Sequence, residues 1–252
     1  MAPLPSVTPD TVVPPAAVVL VSGGLDSTTV LAAARAQGRA VYALSFDYGQ
    51  RHASELGCAR RQAQRWSVRD HRVVALHDFA SMVSNATALV TQSAIEVPRA
   101  RDVQDRGEVP VTYVPARNLL FLAYATAWAE SLDAQEIWIG ANVLDYSGYP
   151  DCRPAFFESF RATANLGTRA ADGGPQLEIV APLLNLSKHE IIAWGLQLGV
   201  DYADTISCYA PSAAKGSPGV VACGTCDSCQ LRRRGFARAG VDDPTTYAVL
   251  DA

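Results

Sequence analysis

The apolar run Val18 to Val21 passes straight into SGGLDS and then into a segment of helical spacing, Ser27 to Gln37, that stops at Gly38. A strand feeding a helix through a glycine turn leaves few architectures open, because the helix must pack back over the strand and the next strand must return parallel to it. The rest of the chain repeats that alternation. Val41 to Phe46 is a second apolar run ending at Asp47, Glu55 to Trp66 a helix with Arg and Gln outward, and Arg72 to Leu76 a third strand. Asp78 to Thr112 lacks a period and reads as a long mobile excursion over the surface. Helix resumes at Asn118, Glu136 to Ile139 is a buried strand, Ala155 to Ala164 a helix and Leu177 to Val180 a strand. Ser187 to Leu198 is a helix with Ser187 as cap and Gly199 as stop. The expectation is an α/β fold, a Rossmann-like parallel sheet with helices on both faces, over residues 17–200. A proline-rich leader, residues 1–16, precedes it without the marks of a secretory signal, and a C-terminal segment, 201–252, follows.

The glycine turn also suggests chemistry. Backbone N–H groups converging at a helix start, with the helix dipole behind them, make a phosphate site. Gly23 and Gly24 let the backbone approach closely, and Ser22, Ser27 and Thr28 supply hydroxyls. The string is neither GxGxxG nor a Walker loop. Asp26 is the odd member, since a carboxylate beside phosphates repels them unless Mg²⁺ lies between; it either binds that metal or turns away as a helix cap.

Four of the six cysteines, Cys208, Cys223, Cys226 and Cys229, fall in the C-terminal segment, the last three as CGTCDSC. Four thiolates complete a tetrahedral Zn²⁺ site and leave no position open for catalysis, so such a metal holds the tail together. By spacing alone an iron–sulfur cluster fits equally. Clustered thiols suit a reducing cytoplasm better than a disulfide framework. A net charge of −4 argues against a broad nucleic-acid surface. The one basic run, Arg232, Arg233, Arg234 and Arg238, reads most simply as a solvated helix face. Leu119 to Ala129, the longest strongly apolar segment, is about half of the roughly 20 residues a membrane span needs.

SGGLDS resembles the pyrophosphatase loop of the PP-loop ATPases, of the adenine nucleotide alpha hydrolase type, which split ATP between the α- and β-phosphates. FDYGQRH (Phe46 to His52), VPARN (Val114 to Asn118), GANVLDYSGYPDCRPAF (Gly140 to Phe157), SKHEI (Ser187 to Ile191) and SCY followed by CGTCDSC occur in the order seen in the 7-cyano-7-deazaguanine (preQ0) synthase family. The resemblance covers roughly Val18 to Tyr247. Two departures stand out: VPARN where many relatives have VPGRN, and a Cys208–Cys223 loop that is longer than usual.

The resemblance implies a ligase that converts 7-carboxy-7-deazaguanine and ammonia to the nitrile with ATP, Mg²⁺ and Zn²⁺. A homodimer without direct nucleic-acid or membrane contact is expected. It implies nucleotide contacts along Leu20, Val21, Ser22, Gly23, Gly24, Leu25, Asp26, Ser27 and Thr28, with Asp26, Ser27 and Lys188 acting on the phosphates. Lys188 is one of only two lysines against nineteen arginines, and a compact point charge suits phosphate. Asp47, Arg51 and His52, just past the second strand, suit adenosine contacts or a simple turn. For the base, Tyr146 or Tyr149 would stack, Asp145 or Asp151 would accept from ring N–H groups and Arg153 would hold a carboxylate. Arg117 and Asn118 would face the substrate carboxylate or a phosphate, or Asn118 would only cap its helix. Cys58 reads as core and Cys152 as a packing or substrate contact. The competing readings are a tRNA-thiolating PP-loop enzyme and a non-catalytic nucleotide-binding scaffold.

Overall fold

The computed structural model describes residues 14–100, 109–144, 148–213 and 220–248. The expected leader therefore lies almost wholly outside the described residues, and so do Asp145 and Tyr146.

Five parallel strands form one sheet in the order β3-β2-β1-β4-β5: β1 (Ala16–Leu20), β2 (Ala40–Asp47), β3 (Asp70–Ala75), β4 (Glu136–Trp138) and β5 (Glu178–Val180). β1 is central, with Ala16 to Leu20 opposite Ala40 to Leu44 on one side and Ala17 to Val19 opposite Glu136 to Trp138 on the other. A strand enclosed on both faces needs an unbroken apolar run, and AVVL supplies it. Alternate side chains then enter different cores. Val18 and Leu20 pack with Leu44, Phe46 and the apolar side of α4 (Arg117–Ser131), which includes Leu122, Ala125 and Trp128. Phe157 and Ala164 of α5 (Pro154–Leu166) join that core. Ala17 and Val19 pack on the other face with α1 (Leu25–Ala36), α2 (Glu55–Arg65) and α6 (Lys188–Gln197), to which α7 (Asp227–Ala239) adds Phe236.

The boundaries agree with local signals. Ser187 and Glu190 form a capping box at the start of α6, and Gly199 follows its end at φ +83°, where a side chain would be strained. α4 begins after a costlier choice: Ala116, the alanine of VPARN, sits at φ 55°, ψ 20°. A left-handed conformation costs an L-residue about 1–2 kcal/mol, part of which glycine would return as unfolded-chain entropy. Ala116→Gly is therefore expected to stabilise the protein by roughly 0.5–1 kcal/mol, read as a rise in Tm of a few degrees. An unchanged or lower Tm would mean the alanine methyl makes compensating contacts.

The excursion Asp78 to Thr112 differs from expectation. It contains α3 (Phe79–Val83), and Ala80, Val83, Leu89 and Val90 join the core beneath β1 and β2. Arg51 ties it down by donating from Nε to the Ala88 carbonyl at 2.9 Å and from a guanidinium nitrogen to the Ser93 carbonyl, and Gln50 bridges to Val90. The buried residues are too scattered to show a period, so the anchoring is tertiary; residues 101–108 lie outside the described residues.

Candidate functional site

The chain runs from β1 outward through β2 and β3 on one side and then crosses over to β4 and β5 on the other, so the crevice beyond the carboxyl ends of β1 and β4, where the strand order reverses, is where an open α/β sheet binds ligands. A cleft opens there. Its empty volume is about 1230 Å³ when the open solvent at its mouth is included.

Its floor is the glycine loop. Gly23 holds φ +89°, and a Cβ there would fall 2.2 Å from the Glu55 carbonyl oxygen and 2.6 Å from the Ala59 nitrogen, so the loop lies directly on the first turn of α2. Gly140, just past β4, has the matching role: a Cβ would come within 3.1 Å of the Ser27 nitrogen. Gly23→Ala should cost more than about 2 kcal/mol, combining a strained φ with backbone overlap, and equilibrium unfolding measures it. Ser27 Oγ donates to the Gly24 carbonyl at 3.1 Å and accepts from the Ser22 N–H at 3.1 Å, while Ser22 Oγ accepts from the Gly24 N–H at 3.2 Å. Gly24 precedes α1 as its N-cap and supplies no side-chain cap, which leaves first-turn N–H groups for an anion. The Leu25 N–H donates to Ser207 Oγ at 3.3 Å, and the Ile206 N–H to the Gly23 carbonyl at 3.1 Å. The C-terminal segment thus braces the loop.

Asp26 neither caps the helix nor stands free. Both its carboxylate oxygens accept from Lys188 Nζ, at 2.7 and 2.9 Å. The lysine side chain is 9% exposed and the aspartate 21%. Lys188 opens α6, and Gly235 lets α7 cross it so closely that a Cβ would fall 2.5 Å from Lys188 Cγ. A buried ammonium needs its counter-charge, and Asp26 supplies it beside the glycine loop.

The far wall carries Arg117, Asn118, Tyr149 and Cys152. Arg117 keeps its charge firmly: burial opposes it, but Tyr48, Asp151, Tyr149 and Cys152 together raise its pKa. Asn118 is held by Asp151, whose Oδ2 accepts from its backbone N–H at 2.9 Å and whose carbonyl accepts from Nδ2 at 3.0 Å. Asp151 thereby satisfies the uncapped start of α4 and does not line the cleft. Burial pushes the Cys152 thiol up to about 12, with Asp151 adding to the shift; it is a poor nucleophile.

Of the residues singled out in the sequence, the structure gathers Leu20, Val21, Ser22, Gly24, Leu25, Asp26, Ser27, Arg117, Asn118, Tyr149, Cys152, Lys188 and His52 around one cleft. It does not bring Asp47, Asp151 or Arg153 to that lining. Asp47 is exposed at the end of β2, where its carboxylate accepts weakly from the Gly49 N–H at 3.4 Å, and Arg153 is the exposed residue before α5. Gly23, within the loop, and Thr28, in α1, are buried and do not line the cleft. Arg51 serves the excursion and Cys58 is core. Glu55, Tyr48, Phe121, Ser207 and Tyr209 line the cleft without having been anticipated. FDYGQRH and SCY marked the neighbourhood of four of them, but no spacing singled them out.

The basic run is not a uniformly solvated face. Arg233, Arg234 and Arg238 are exposed, whereas Arg232 is 2% exposed. Its guanidinium donates to Asp243 at 3.0 Å, Thr205 Oγ1 at 2.8 Å and the Tyr202 carbonyl at 3.0 Å. An arginine so partnered locks α7 to the preceding segment and lines the cleft as it does so.

The four cysteines converge as expected. Their Sγ atoms all lie within 4.8 Å of one another and all four residues are buried. Tetrahedral Zn–S bonds of about 2.3 Å place sulfurs about 3.8 Å apart, and Cys223 and Cys229 stand at 4.0 Å. Gly224 turns between Cys223 and Cys226 at φ +76°. The donor set fits a closed, structural tetrathiolate metal. All six cysteines are free of disulfides. Among the described residues no helix is long and apolar enough to cross a membrane.

A family model described as queuosine biosynthesis protein QueC matches residues 16–240. The 7-cyano-7-deazaguanine synthase of Legionella pneumophila subsp. pneumophila (strain Philadelphia 1) is 54% identical over 231 residues, covering 92% of this chain and 96% of its own length. The enzyme of the same name from Syntrophotalea carbinolica is 54% identical over 233 residues, with the same coverage. Among solved structures, a predicted subunit of tRNA methyltransferase from Methanocaldococcus jannaschii covers 92% of both chains at a TM-score of 0.46 and 13% identity, too distant to bear on function.

Proposed function

The chain belongs to the QueC family of queuosine biosynthesis proteins, and from that premise and the cleft together we propose how it acts as a 7-cyano-7-deazaguanine synthase, an ATP-dependent carbon–nitrogen ligase. A nitrile carries no oxygen, so both oxygens of the substrate carboxylate must depart, and neither departs unaided. One adenylation gives an acyl-adenylate that ammonia converts to the amide; a second, on the amide oxygen, permits elimination of AMP.

The observation that carries this reading is the juxtaposition, in one cleft, of an uncapped glycine loop with the Lys188–Asp26 pair on one side and the charged Arg117 on the other. The loop N–H groups and Lys188 would take the pyrophosphate, Arg117 the carboxylate, and Tyr149 a face of the deazapurine. Asp26 would hold Mg²⁺, which screens phosphate charge when bound. Cys208, Cys223, Cys226 and Cys229 would hold Zn²⁺, favoured over an iron–sulfur cluster because the reaction moves no electrons. Asp145 and Tyr146 remain proposed base contacts. The net charge of −4 supports a small-molecule substrate without direct nucleic-acid contact. A homodimer and a cytoplasmic setting complete the reading.

Purified protein incubated with Mg²⁺-ATP, ammonium and 7-carboxy-7-deazaguanine is expected to release two AMP per nitrile, followed by chromatography and product mass. AMP release without the nitrile would point to another acceptor such as tRNA, and no substrate-dependent ATP cleavage would favour a binding scaffold.

A further inference from the structure

Between the glycine loop and Arg117 the cleft wall is the start of α2, and it carries a carboxyl that phosphate chemistry does not use. Glu55 opens α2, lines the cleft with Tyr48, His52 and Arg117, and is 12% exposed at its side chain. Its backbone is pinned beneath Gly23, and its N–H donates to the His52 carbonyl at 3.0 Å. Its Oε1 lies 3.4 Å from His52 Nε2, while the ring's Nδ1 is buried with no hydrogen-bond partner. A rigidly placed carboxyl therefore shares one corner with the cation that would grip the substrate carboxylate.

We propose that Glu55 is the proton acceptor for the incoming nitrogen, taking a proton from ammonium as ammonia attacks the adenylated carboxyl carbon. This rests on the ligase reading above. Ammonium has no lone pair, so an N–H bond must break before a C–N bond forms. The Glu55 carboxylate takes that proton. The freed lone pair forms the C–N bond, and the C–O bond to AMP breaks with its electron pair leaving on the AMP phosphate oxygen. The surplus proton on the new amide nitrogen passes to water, and Glu55 later returns its own. Acyl-adenylate and ammonium thus yield amide, AMP and two protons.

The groups around Glu55 leave that task to it. His52 is pushed down to about 4 by burial and then by Arg117, and the Tyr48 hydroxyl up to about 12 mainly by burial. The Cys58 thiol, one turn along α2, is raised by burial. All three stay neutral near pH 7. Burial pushes Glu55 up to about 8 against the pull of Arg117, within the range where a carboxyl both accepts and releases protons near neutrality.

The test uses the full chain with Glu55→Gln and three assays. Exchange of pyrophosphate into ATP, driven by 7-carboxy-7-deazaguanine without ammonium, should stay within about threefold of the unmodified protein. Ammonium-dependent amide and nitrile formation should fall about a hundredfold. Hydroxylamine, which arrives uncharged near neutrality, should still give the hydroxamate at close to the normal rate, an outcome that a merely structural role does not produce. Glu55→Asp, which keeps a carboxylate, should recover part of the ammonium rate. Amide formation within threefold in Glu55→Gln overturns the proposal. So does parallel loss of exchange and hydroxamate, which would make Glu55 a binding or structural residue. Absence of exchange in the unmodified protein removes the ligase reading itself, and this inference with it.

Discussion

Lys188→Met is expected to lower acid-dependent ATP–pyrophosphate exchange by about a hundred- to a thousandfold while the protein remains folded. The size follows from what one preorganised charged donor contributes when aimed at charge that develops in the transition state. Methionine keeps the packed stem between Ile192 and the close approach of Gly235, and Asp26, at 21% exposed, can be solvated once its partner is gone. Asp26→Ala is the harsher change, since it leaves a 9% exposed ammonium without a counter-charge. It should abolish AMP formation and also reduce stability, with zinc retained. Exchange within threefold of normal in Lys188→Met would remove the lysine from the phosphate chemistry.

Cys226→Ser is expected to lose the bound metal and lower Tm by roughly 10 °C. Structural zinc contributes about 10–16 kcal/mol to the folding of small zinc modules. Even a third of that, at about 2–4 °C per kcal/mol for a chain of this size, reaches the stated shift. The consequences should extend to the cleft. Cys226 precedes α7 and Cys229 lies in its first turn, while Ser228 and Arg232 of the same helix line the site. Metal analysis, thermal unfolding and hydrogen exchange over residues 201–213 and 220–248 read the outcome, and KM for ATP should rise. A variant with unchanged metal content and Tm would show that the quartet does not staple the segment.

Local pattern carried much of this structure in the open. The β-branched run before SGGLDS, the helical spacing after it and the repeated alternation define the parallel sheet, because a two-residue and a 3.6-residue period are written into neighbouring residues. Ser187 with Glu190 and Gly199 mark both ends of α6 because capping is a contact between near neighbours in sequence. The cysteine quartet is legible for a related reason: three of its members lie within seven residues, and thiols in such a pattern have few other uses.

The sequence by itself thus determined the fold class, the glycine loop between β1 and α1 and a cysteine quartet able to hold a metal. Tertiary structure alone decided which charged groups meet. Asp26 and Lys188 are 162 residues apart, and they meet because α6 packs beside α1. Arg232 looked like one more surface arginine, yet Thr205, Asp243 and a backbone carbonyl compensate its burial. Asp151 sits in a tyrosine-rich loop that suits a base contact, and in the fold its carboxylate closes the start of α4. Glu55 carries no motif of its own, and its character comes from burial beside His52 and Arg117. Desolvation and charge pairing depend on what surrounds a group in space, and for these residues the surroundings come from distant parts of the chain.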